Sequence, residues 1–130
     1  MWGKSGPRRS GPGQSASWPP GLHPIERLYR IVHSRRGANP ASSYTARLLS
    51  RGPAKIAQKL GEEAVEAAIE GVRRDRGRLV EESADLIYHL TALWTSLEVK
   101  PEMVWRELRK REAKSGIQEK QDRKQGRKNR

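Results

Sequence analysis

Residues 53–97 read PAKIAQKLGEEAVEAAIEGVRRDRGRLVEESADLIYHLTALWTSL. In the first half, Ile56, Leu60, Ala64 and Ala67 form one apolar stripe at helical spacing, and Val65, Ile69 and Val72 form a second. This predicts a long helix from about Pro53 to Arg74, with two apolar faces. Asp75 to Gly77 interrupts the pattern, and Leu79, Leu86, Leu90, Leu93, Trp94 and Leu97 then mark a second long helix. A link this short makes the two helices antiparallel neighbours. Upstream, Pro24 suits a first helical position, and Ile25, Leu28, Tyr29 and Val32 follow on one face, ending near Arg36-Gly37. Asn39-Pro40 breaks the chain, and Ser42 or Ser43 caps a short piece running through Leu48 and Leu49 to Gly52-Pro53. Downstream, Pro101 opens a last helix carrying Met103, Val104 and Leu108, with Ser115-Gly116 as its stop. No run of alternating β-branched residues suggests a strand, so the reading is an all-α bundle of about five helices.

The apolar residues of this 130-residue chain, 34% of the total, concentrate in the helical body, taken as residues 23–116. Residues 1–22 hold five glycines, four prolines and no acid, and are expected to be a flexible segment; residues 117–130 are expected to be a basic tail. So small a core would gain from pairing with a second copy, which predicts an oligomer. The net charge of +12 lies mostly at the ends: residues 109–130 carry ten basic and three acidic side chains, whereas residues 23–108 carry fourteen and twelve. Basic ends on a nearly neutral body are read as solvated ends, so a nucleic-acid partner is not expected. Without cysteine there is no thiol redox chemistry, disulfide or thiolate zinc site. No apolar run approaches the roughly 20 residues that span a bilayer, and no secretory signal is recognisable, so a soluble cytoplasmic protein is expected.

The chemistry lies in two acidic words. Glu62, Glu63 and Glu66 project within about 100° of arc on the first long helix. Glu82 and Asp85 are neighbours on one face of the second, with His89 one turn further along. Each word alone is the ordinary pattern of a solvated face with i,i+4 pairs. Together, on antiparallel helices, they would crowd four or five carboxylates into a small volume, and such a cluster needs a cation. Oxygen-only donors suit Mg²⁺, with Mn²⁺ as substitute, and a magnesium site keeps positions open for phosphate oxygens. A di-iron carboxylate bundle needs a Glu-x-x-His pair on each of two helices, and only His89 is present here. As a lone histidine, His89 is read as a core or substrate-facing residue, not a ligand.

These two words on successive helices resemble the all-α nucleoside-triphosphate pyrophosphatase superfamily, which includes MazG-like enzymes and dimeric dUTPases. Ser43-Tyr44-Thr45-Ala46-Arg47-Leu48, Gly52-Pro53-x-Lys55-Ile56-x-x-Lys59-x-Gly61-Glu62-Glu63-x-x-Glu66 and Glu82-x-x-Asp85-Leu86-x-Tyr88-His89-Leu90 are similar to its phosphoribosyl-ATP pyrophosphatase branch, as is Ser115-Gly116-Ile117-x-Glu119-Lys120. The resemblance implies hydrolysis of phosphoribosyl-ATP to phosphoribosyl-AMP and pyrophosphate, the second step of histidine biosynthesis, with magnesium as cofactor. It further implies a metal set of Glu62, Glu63, Glu66, Glu82 and Asp85, with Glu63 or Glu62 as general base for water attack at the α–β bridge. Lys55 and Lys59 would neutralise charge on the departing pyrophosphate, and Tyr88 and His89 would contact base or ribose. A homodimer with a four-helix core is implied as well. Some members are fused to a cyclohydrolase that uses cysteines, and the lack of cysteine here implies the single-function form. The rivals are a house-cleaning pyrophosphatase acting on dCTP, dUTP or damaged nucleotides with the same carboxylates, a basic nucleic-acid-binding protein, and an inactive helical scaffold.

Overall fold

The computed structural model describes residues 21–114 and 116–128, without the side chains of 116–119 and 128; the Gly/Pro-rich segment up to residue 20, Ser115 and residues 129–130 lie outside the described residues. Six helices and no strand occur among the described residues: α1 Pro24–Ser34, α2 Tyr44–Ser50, α3 Pro53–Val72, α4 Arg76–Ser96, α5 Pro101–Glu112 and α6 Gly116–Lys128. The chain is therefore all-α, as its spacing predicts. None of these helices is long and apolar enough to cross a membrane.

Local chemistry sets each boundary. The Ser43 hydroxyl accepts the Ala46 amide at 3.1 Å and opens α2. Gly52, at φ 86°, turns the chain directly into Pro53 of α3, a conformation that favours glycine. α4 starts earlier than the apolar pattern predicts, because the Asp75 carboxylate accepts the Arg78 amide at 3.0 Å and places Gly77 inside the first turn. α3 closes with paired amide bonds, Asp75 N–H to Glu70 O and Arg74 N–H to Gly71 O, around Arg74 at φ 60°. α4 closes the same way around Glu98 at φ 59°, with Val99 N–H to Trp94 O and Glu98 N–H to Thr95 O. Glycine is the usual residue at both positions. Replacing exposed Arg74 with Gly should therefore raise unfolding stability by about 0.5–1 kcal/mol, read as a shifted denaturant midpoint at constant slope.

Two compact units divide the chain near residue 99. In the first, α3 and α4 form an antiparallel hairpin joined by Arg73, Arg74 and Asp75. Glu70 meets Arg78 near the turn, and Ile56 packs with Tyr88 and Ala92 at the far end. α1 packs on α4 and α2 touches both long helices, bringing Leu28, Val32 and Leu48 into the same core. Arg36, just beyond α1, pairs with Glu98 at the end of α4. Val65, Ile69 and Val72 on α3, and Val80 and Ile87 on α4, remain exposed.

The second unit holds α5 and α6. α6 occupies most of the expected basic tail. It lacks apolar periodicity, but Lys, Gln, Glu and Arg are straight-chain helix formers, and propensity can build a helix where burial cannot. Lys114 reaches Asp122 of α6 at 2.8 Å.

Candidate metal centre

Glu63 and Glu66 lie one turn apart on α3, and the hairpin register sets Glu82 of α4 opposite them. Each offers a carboxylate oxygen, and the three oxygens lie within 4.8 Å of one another. Glu63 is 6% exposed and Glu82 9%, so two of these acids are withdrawn from water; Glu66 is half-buried. Burying clustered carboxylates is costly unless a cation offsets their charge. Ligand oxygens about 2.1 Å from a magnesium ion are at most about 4.2 Å apart, so rotation of flexible glutamate side chains is enough to close the observed spacing. The donor set thus fits a hard divalent cation.

The other predicted residues are placed differently. Glu62 is exposed and accepts a hydrogen bond from Gln58 Nε2 at 3.1 Å, outside the three-glutamate group. Asp85 is half-buried one turn beyond Glu82, also outside that group. Lys55 Nζ lies 3.5 Å from the Gln58 side-chain oxygen. Lys59 makes no ion pair among the described residues, so it is not consumed by the adjacent Glu63.

His89 is 6% exposed. One ring nitrogen, Nδ1, lies 2.8 Å from the Asp85 carbonyl. A carbonyl only accepts, so Nδ1 donates, and the buried Nε2 has no hydrogen-bond partner. Tyr88 is fully buried, edge-on to His89, with its hydroxyl 2.6 Å from Thr45 Oγ1. Burial pushes the Tyr88 pKa from 10.0 up to about 12; the Thr45 hydrogen bond opposes this and Tyr44 adds to it. The unfolded chain loses this proton first, so the stability contributed is complete below pH 10.0 and is lost as pH rises to about 12. Tyr88→Phe should flatten that alkaline decline in a denaturation series and cost about 1 kcal/mol at neutral pH, because the Thr45 hydroxyl loses its partner.

Glu70 is the residue that the acidic words miss. It continues the Glu63, Glu66 face of α3, is 7% exposed, and lies 3.6 Å from Arg73 and 3.8 Å from Arg78. Sequence spacing sets Arg78 beside Glu82, but the structure turns it across the hairpin to Glu70. The i, i+3, i+7 run Glu63, Glu66, Glu70 was the signal available for it.

A helical hairpin with glutamates converging from both arms is the arrangement of an all-α nucleotide pyrophosphatase of the MazG-like type. The profile of the phosphoribosyl-ATP pyrophosphohydrolase family matches residues 25–112, and the chain belongs to that family. It is 55% identical over 100 residues to the phosphoribosyl-ATP pyrophosphatase of Azospirillum brasilense, covering 77% of this chain and 90% of that protein. It is 54% identical over 96 residues to the Cereibacter sphaeroides protein of the same name, covering 74% and 93%. With the one from Rhodospirillum rubrum it shares 47% over 110 residues, covering 85% and 94%.

Proposed function

We propose that this protein hydrolyses phosphoribosyl-ATP to phosphoribosyl-AMP and pyrophosphate, in the cytoplasm, as the second step of histidine biosynthesis. The observation that carries this reading is the convergence of Glu63, Glu66 and Glu82 in a chain of this family. Those three, with Asp85 from the next turn, would hold Mg²⁺, or Mn²⁺ in its place. The ion supplies charge neutralisation and polarisation of the triphosphate.

The chain's own groups do the rest. Glu62, exposed beside the cluster and steadied by Gln58, takes a proton from the attacking water as its oxygen bonds to a phosphorus of the α–β bridge. The bridging P–O bond breaks and pyrophosphate departs. Lys59, without an ion pair among the described residues, and Lys55 neutralise the charge that develops there. Tyr88, closed into the core, supports the wall that carries His89, which is itself buried.

A second copy would cover Val65, Ile69 and Val72 of α3, which are 59%, 48% and 85% exposed, and so build a four-helix core across a homodimer. Sedimentation equilibrium tests this, and a monomer at micromolar concentration removes it.

The enzymatic reading is tested by pyrophosphate release from phosphoribosyl-ATP, ATP, dCTP and dUTP with magnesium, with EDTA, and in Glu66→Ala. Magnesium-dependent release from phosphoribosyl-ATP alone, lost in the variant, supports it. Preference for dCTP or dUTP moves the protein to a house-cleaning role, and no release from any substrate overturns the reading.

A further inference from the structure

The sequence disperses its C-terminal charge along a tail, but α6 gathers it. At about 100° per residue, Lys120, Arg123, Lys124 and Arg127 occupy positions i, i+3, i+4 and i+7 and fall within about 100° of arc. All four side chains are exposed. Gln121, Asp122, Gln125 and Gly126 occupy the opposite side. Among the described residues Lys120, Lys124 and Arg127 make no ion pair.

Three acids of this unit are already paired with cations outside the stripe. Asp122 is held by Lys114 at 2.8 Å, on the side where α5 and α6 enclose a cleft of about 200 Å³. Glu107 is held by Arg111 at 3.3 Å and Glu102 by Arg109 at 2.7 Å. Like charges at i, i+4 destabilise a helix, so the aligned stripe costs stability until a polyanion lies along it.

We propose that the α6 stripe is a binding surface for the phosphate backbone of nucleic acid, separate from the hydrolytic reading above. A lipid surface fits poorly, because residues 120–127 include no aliphatic or aromatic side chain to enter an acyl layer. The same lack of aromatic side chains removes base stacking, and lysine and arginine on one exposed stripe contact phosphates without reading sequence. The ligand is therefore a duplex of any sequence, and the binding is salt-controlled.

Fluorescence anisotropy of the full-length protein with a labelled random-sequence duplex, from 50 to 200 mM salt, tests this. Three phosphate contacts, from Lys120, Lys124 and Arg127, predict a log–log slope of about −2.7, an affinity loss on the order of 40-fold across that range. Lys120→Gln/Lys124→Gln/Arg127→Gln should bring the slope close to zero, while the matching change of both lysines to Arg preserves it. Both variants keep the parent's pyrophosphate release. Absence of duplex binding, an unchanged slope in the Gln variant, or equal capture by neutral and anionic phospholipid vesicles and by duplex overturns the proposal.

Discussion

Glu82→Gln is expected to slow magnesium-dependent pyrophosphate release from phosphoribosyl-ATP by on the order of 10³-fold, while leaving the metal-free protein at least as stable as the parent. The two effects have one origin. Glu82 is nearly buried and shares a span of 4.8 Å with Glu63 and Glu66, so without a cation its negative charge opposes the packing of α4 on α3. An amide of the same size removes that repulsion and also removes a ligand. Thermal unfolding in EDTA should then give a midpoint equal to or above the parent's. Added magnesium should raise the parent's midpoint and leave the variant's nearly still. A variant that is both inactive and destabilised in EDTA would make Glu82 a packing residue and sink the metal reading.

Ile56→Ala should cost about 3–4 kcal/mol, a large share of the roughly 5–15 kcal/mol that holds a domain folded. Ile56 is fully buried where α3 meets Tyr88 and Ala92 of α4, in a core with few other large aliphatic residues: Leu28, Val32 and Leu48, with Leu49 and Leu93 at its edge. Little nearby can collapse into the space, because Tyr88 is tied to Thr45 by its hydroxyl. Ile56→Val removes one methyl group and should cost only about 1 kcal/mol. Chemical denaturation of the two variants checks the ratio; equal small losses would mean that the site relaxes.

The helices were legible because burial leaves a period. Ile56, Leu60 and Ala64 mark one face of α3 as plainly as Leu86, Leu90 and Leu93 mark α4, and Pro24, Ser43, Pro53 and Pro101 set starts that the structure keeps within a residue. α6 escaped that reading since it buries no periodic apolar face, and what forms it is backbone propensity. At the site, spacing could group the acids but not aim them. α3 has apolar residues on two sides, so periodicity alone left Glu62 and Glu63 equivalent, and it is the hairpin register that buries Glu63 and exposes Glu62. The partner of Arg78 was equally hidden, because a cross-helix ion pair depends on the turn, and the turn is two residues earlier than the apolar gap suggests. Tyr88 and His89 are adjacent in sequence yet differ in chemistry: one hydroxyl is satisfied by Thr45 from α2, a residue 43 positions away that no local pattern could connect.

The three-residue link between α3 and α4 also has a kinetic meaning. A helical hairpin closed by so short a loop loses little chain entropy, so it can zip within microseconds to milliseconds, before α1 and α2 dock. Glu63, Glu66 and Glu82 straddle that hairpin, and their repulsion is therefore met on the way up the folding barrier. A divalent cation would act mainly by accelerating refolding and only slightly by slowing unfolding, a division that stopped-flow refolding with and without magnesium would measure.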